Sequence, residues 1–362
     1  MADQSDTPQS DGPETDGSKT DRQDRAKPGS KRGPFWRLLF FFALLAVGAA
    51  AAGAYYIKNE FERPGPLAES QSLVIERGSA VKEIAEDLEV AGIISNPDIF
   101  RIGVRVLDMG RDLKAGEFVF EAQMSMRQVA EHLRSGETLL HRVTIPEGLT
   151  SQDVVALLAQ VPQLEGTIDQ IPPEGALLPE TYYFSRGDSR QVVLARMAQD
   201  MEEAVTALWS QRQEGLPLKS ADELVVLASI VERETGVDGE RALVAGVFIN
   251  RLRKGMRLQS DPTVVYGLAE GTGELGRPLT RKDLKTKHAY NTYIIDALPP
   301  GPIANPGLDA LQAVAEPAET EFFYFVADGS GGHAFAKTLD EHNKNVAAWR
   351  KFQKQQKATD QN

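Results

Sequence analysis

The sequence predicts an α+β protein with a single N-terminal transmembrane helix, a small β-α-α-β module and a larger mixed α+β domain. Three observations carry this. About twenty residues from Leu38 to Ile57 run without a charge, long enough for the roughly 30 Å of a bilayer core. From Leu73 onward, short strand patterns alternate with amphipathic helix patterns between Gly, Pro and Asn turns. A later stretch, SADELVVLASIVERETG from Ser220 to Gly236, reads as a buried helix with both ends written into it.

Composition narrows the function classes. A chain of 362 residues holds two domains plus tails. Its formal net charge of −12, with no domain-sized basic surface, argues against nucleic acid. The absence of cysteine removes disulfides, thiol nucleophiles and cysteine-metal sites together. His132, His141, His288, His333 and His342 make no HExxH or similar spacing, so no metal centre is expected.

Residues 1–37 are rich in Asp, Ser, Gly, Pro, Gln and Thr, bury too little to fold, and are expected to be a disordered tail. The tail turns basic at Lys27, Lys31, Arg32 and Arg37. Residues 38–57 follow as the span, with Trp36 before it and Tyr55 and Tyr56 at its far end, where aromatic belts form. The positive-inside rule then keeps the tail in the cytoplasm and the remainder outside, as in a single-pass protein. A cleaved signal peptide is the rival. Its apolar region usually covers about 7 to 15 residues behind a short basic stretch, which favours the anchor here.

Residues 58–71, with RPGP, are a linker. Residues 72–141 form the small module. A strand from Leu73 to Glu76 leads through Arg77-Gly78-Ser79 to a helix carrying Val81, Ile84, Ala85 and Leu88. A second helix follows Asn96-Pro97, Phe118 to Phe120 is a strand, and Met126 to Leu133 a helix ended by Gly136. This pattern resembles the LysM-like modules that hold cell-wall glycan; a packing or spacer role stands beside that reading. Residues 142–350 form the larger domain. VTIPEG and SQDVVALLAQ repeat the strand–helix theme, and an unpatterned connection leads to PETYYF. Helices are expected from Gln191 to Leu208, Ser220 to Gly236 and Arg241 to Leu252. Phe322 to Ala327 is a strand, and DGSGGHAF after it lacks the lysine and the strand-to-helix setting of a phosphate loop. Thr338 to Gln355 is a helix that fades into a polar tail, residues 351–362.

The helix from Ser220 carries the chemistry. Ser220 and Glu223 have capping-box spacing, and Gly236 is a natural stop. At about 100° per residue, Glu234 projects within roughly 50° of the centre of the apolar arc. Glu232 lies at its margin and Arg233 points to water. An inward carboxylate is desolvated and holds a proton near neutrality, as a general acid must. From the helix alone, an end-of-helix glutamate paired with a nearby arginine is the favoured reading. Beyond it, MRLQSDPTVVY and HAYNTYIIDALPPGPIANP are proline-stiffened loops dense in groups that hydrogen-bond a sugar, or that merely make turns.

LASIVERETG, VFINRLRKGMRLQSDPTVVYG, AYNTYIIDALPPGPIANPG and YFVADGSGGHAFAKTLDEHN, in this order behind an apolar anchor, resemble the YceG-like endolytic murein transglycosylases over roughly residues 70–350. The resemblance implies a lyase that cuts nascent peptidoglycan glycan strands at the inner membrane, without a cofactor and in partnership with peptidoglycan synthases. It implies Glu234 as the single general acid and base. Gln259, Thr263, Asn291 and Tyr293 would hold the sugar, Asp261 would orient them or stabilise positive charge, and Glu180 would line the groove. A muramidase, with Asp261 or Glu180 as second carboxylate, and a non-catalytic wall-binding scaffold are the competing readings.

Overall fold

The computed structural model describes residues 33–237 and 239–359. The expectation of a disordered tail falls on residues outside that description, except for 33–37. The chain divides into two units, residues 1–60 and 61–362. Among described residues the first unit is one helix, α1 (Gly33–Glu62), whose last two residues belong to the second. Its stretch from Phe35 is long and apolar enough to cross a membrane. It starts before the expected span and runs on through Lys58 to Glu62, so the linker is shorter than the sequence suggested.

The second unit is α+β. It opens with β1 (Gln71–Ile75), α2 (Val81–Val90), α3 (Pro97–Val106), β2 (Gly116–Phe120) and α4 (Met126–Ser135). β1 and β2 pair antiparallel, Leu73 opposite Phe118. Local signals set the boundaries. Asn96 accepts from the Ile99 amide at 3.0 Å to cap α3. Ser125 and Gln128 close a capping box on α4, and Gly136 ends it at φ +77°. Ile84, Leu88, Phe100, Phe118, Phe120 and Leu133 are buried in this part.

β3 (Leu140–Thr144), α5 (Ser151–Ala159) and β4 (Thr181–Ser185) follow, β3 antiparallel to β4 with Val143 opposite Tyr182. β4 lies in the PETYYF stretch, where no strand was expected. Then come α6 (Arg190–Gln211), α7 (Ala221–Glu234), α8 (Arg241–Arg253), α9 (Asp261–Leu268) and α10 (Leu308–Ala315). Finally β5 (Tyr324–Ala327) and β6 (His333–Ala336) pair antiparallel, and α11 (Leu339–Thr359) packs on them. α11 takes in most of the expected polar tail.

The sheet differs from expectation. A larger mixed α+β domain would most simply seat the helix bearing Glu234 on one mixed sheet. Among the described residues there are instead three separate two-stranded antiparallel sheets, and α7 packs among α6, α8 and α10. Leu224, Leu227, Ile230, Val231, Val244, Phe248, Leu311 and Val314 are the centre of that core. Sequence patterns show which residues are strands but not which strands find each other.

Candidate active site

α7 is buried on nearly every side through its middle: Leu224 through Val231 are all buried. It is therefore a central helix rather than one with a single inward face. Ser220 accepts from the Glu223 amide at 3.3 Å, while the Glu223 carboxylate reaches past it to the Lys219 amide at 2.7 Å. The capping box is thus half made. The helix ends at Glu234 with Thr235 in extended conformation, and Gly236 is not used as a left-handed stop.

The last turn separates three charged side chains. Arg233 is exposed and donates to the Gly148 carbonyl at 3.1 Å. Glu232 is more enclosed than the wheel suggested: its side chain is 6% exposed, 3.6 Å from Arg241. It also accepts from the Gly307 amide, at the start of α10, at 2.9 Å. Arg241 is shared with Glu147 at 3.2 Å. Burial, then the charge of Glu232, pushes the Glu147 carboxyl up against the pull of Arg241.

Glu234 is half-buried. Desolvation pushes its carboxyl up to about 7, opposed by the Ser260 hydroxyl, reinforced by Asp261, and opposed more weakly by His333 and Arg251. Among the described residues the buried Ser260 Oγ has no hydrogen-bond partner of regular geometry, and it lies beside the Glu234 carboxyl. Arg251 ties this side together, donating to Phe323 O at 2.6 Å and Leu258 O at 2.5 Å. His333 Nδ1 lies 2.7 Å from Glu240, which also accepts the His333 amide at 2.8 Å.

Two polar loops meet Glu234 and are stitched to each other. The Gln259 amide donates to Thr292 O at 3.1 Å and the Ser260 amide to Thr292 Oγ1 at 2.9 Å. Thr263 Oγ1 donates to Ser260 O at 2.7 Å. Tyr293 donates its hydroxyl to Asp261 Oδ1 at 2.6 Å. Burial and that bond raise the Tyr293 phenol above its ordinary range, so it stays a donor.

The residues named from sequence divide into three groups. Asp261 and Gln259 are exposed, and Tyr293 presents its hydroxyl beside Glu234 and Asp261. Gln259 sits at φ +52°, a left-handed backbone that costs a non-glycine residue on the order of 1 kcal/mol or more and gathers at ligand sites. Thr263 and Asn291 are buried, with their polar atoms turned to the protein. Asn291 donates to Thr286 O at 2.7 Å and Leu284 O at 3.2 Å, and accepts from the Tyr293 amide at 3.0 Å. Glu180 is exposed just before β4, within electrostatic reach of Glu147. Sequence reasoning missed Ser260, Arg251, Glu240 and His333. Ser260 lay unremarked between Gln259 and Asp261. His333 stood in the glycine-rich turn set aside as a failed phosphate loop.

The sequence profile of the YceG-like family matches residues 73–348. The endolytic murein transglycosylase of Bacillus subtilis (strain 168) is 30% identical over 302 residues, covering 75% of this chain and 82% of that protein. The endolytic murein transglycosylase of Streptococcus pneumoniae serotype 2 (strain D39 / NCTC 7466) is 27% identical over 358 residues, covering 85% of this chain and 64% of its own length. A crystal structure of a yceG-like protein from Listeria monocytogenes is 30% identical, covers 76% of this chain and 99% of its own, and superposes with a TM-score of 0.46. The match runs from β1 to α11 and takes in every group placed around Glu234, and the chain belongs to the YceG-like family.

Proposed function

We propose that this chain is a membrane-anchored lytic transglycosylase that cuts glycan strands of peptidoglycan between N-acetylmuramic acid and N-acetylglucosamine. The carrying observation is Glu234, a carboxyl held at about 7 by burial, open to solvent and flanked by an anchored aspartate. The relatives' names supply the substrate class.

Glu234, protonated, donates to the glycosidic oxygen as the bond to the muramic acid C1 breaks. The 6-hydroxyl of the same sugar attacks C1, and the Glu234 carboxylate takes its proton, leaving a 1,6-anhydro ring. One carboxyl serves both steps because the nucleophile is intramolecular and already in place. Asp261, fixed by Tyr293, faces the positive charge that develops at C1. Gln259 hydrogen-bonds the N-acetyl arm, while Thr263, through Thr292, holds the two loops in register and Asn291 fixes the fold of the second. α1 is the anchor, with its N-terminus in the cytoplasm and Glu234 outside, near the synthases that extend the strands. Residues 72–141 serve as a LysM-like spacer or glycan-holding module.

Uncross-linked glycan strands incubated with the full-length chain in detergent, wild type and Glu234→Gln, test this by mass spectrometry of the new ends. Anhydro ends are expected from wild type only, about 18 Da lighter than the ends left by water attack. Reducing ends would assign a hydrolase, with Asp261 as second carboxylate. Cleavage by neither protein, with glycan bound by both, would leave a scaffold.

A further inference from the structure

Away from Glu234, the outer face of α3 gathers positive charge and apolar surface together. The helix buries Ile99, Phe100, Gly103 and Val104 and turns Arg101, Ile102, Arg105 and Val106 outward. Those four fall within an arc of roughly 140° at the usual 100° per residue. Val106 is 76% exposed and Ile102 42%. Lys82 at the start of α2 and Arg111 beyond α3 line one cleft with Arg101 and Arg105, alongside Asp98 and Asp108. Asp98 pairs with Arg101 at 3.0 Å and Glu86 with Lys82 at 3.6 Å; Arg105 and Arg111 pair with no carboxylate among the described residues. An excess of cations on a chain of net charge −12 is a local feature with an electrostatic purpose.

The chain's own course keeps α3 close to the end of the apolar run. Phe61 is 4% exposed, and its ring lies where any Cβ on Gly103 would stand. The buried side of α3 therefore grips a residue four positions after Ile57, the last of the apolar run. Chain length alone keeps that grip within about 14 Å of the end of the run. Arginines interleaved with exposed aliphatic side chains suit a headgroup layer, where the stems and aliphatic groups enter the acyl boundary and the guanidiniums stay among phosphates. Resting on the reading of α1 as an anchor, we propose that the α3 face formed by Arg101, Ile102, Arg105, Val106 and Arg111 docks on anionic phospholipid headgroups of the anchoring bilayer.

The absence of cysteine makes a single label simple. Full-length Val106→Cys, carrying an environment-sensitive fluorophore, is placed in nanodiscs of phosphatidylcholine alone or mixed with phosphatidylglycerol. Both contain a lipid with a spin-labelled headgroup. Quenching about threefold stronger in the anionic discs is expected, since the attraction is electrostatic, and it should weaken as salt shortens the Debye length. It should vanish with Arg105→Glu/Arg111→Glu and persist with Arg105→Lys/Arg111→Lys. Incorporation into both discs with equal, weak quenching overturns the docking face and leaves the anchor standing. Failure to enter either disc overturns the anchor and the docking face with it. A label silent in discs but responsive to added glycan strands assigns the cleft to wall carboxylates and overturns the lipid proposal.

Discussion

On the proposed reading of Glu234 as the acid, one proton ties folding to catalysis. The Glu234 carboxyl is raised from an ordinary 4.5 to about 7, chiefly by burial. Below the lower value both folded and unfolded chains hold the proton. Between the two only the folded chain does, and above about 7 neither does, so stability falls as pH rises through this window. That displacement, at about 1.4 kcal/mol per pH unit, is on the order of 3 kcal/mol. Glu234→Gln is therefore expected to be inactive yet more stable than wild type by about 3 kcal/mol at about pH 8, in urea unfolding followed by circular dichroism. In the same way kcat/KM of the wild type should fall above about pH 7, where the acid loses its proton. Tyr293→Phe removes the 2.6 Å donor from Asp261. It should lower kcat about tenfold with KM little changed, because that bond matters as charge develops. Asn291→Ala should instead leave backbone carbonyls without a donor and cost about 2 kcal/mol of stability. A raised KM with unaltered stability would return Asn291 to the substrate.

At the scale of elements, α7 and α10 are locked through charge. Glu232 accepts from the first turn of α10 and faces Arg241. Arg241→Ala leaves Glu232 enclosed without its cation and should cost about 3–5 kcal/mol by urea unfolding. A loss under 1 kcal/mol would mean that water reaches the pair. Much of this layer was legible. The α3 cap at Asn96 and the α4 stop at Gly136 follow from spacing alone. β4 was legible in principle, since Tyr182 and Phe184 are buried while Tyr183 is exposed, an alternation overlooked between turns. α10 followed a proline-rich run that masked a short apolar helix. The pairing of strands into three sheets, the depth of Glu232 and the meeting of His333 with Glu240 were not legible. Each depends on contacts between distant segments, which no local pattern encodes.

For the whole molecule, the apolar span and the residues around Glu234 belong to different units. Removing residues 1–60 should leave cleavage of free strands within about twofold of the full chain while abolishing recovery in the membrane pellet, because the apolar stretch supplies the insertion energy. Activity lost on truncation, with the fold intact, would show that α1 does more than tether. The clasp between Glu240 and His333 spans 93 residues. It closes the segment that follows Glu234 against a hairpin made much later in synthesis. A ribosome building the chain from its N-terminus completes the acid long before it completes the clasp. If Glu234 is the proposed acid, a chain interrupted between them carries it without its finished surroundings, so fragments from aborted translation should be harmless to the wall.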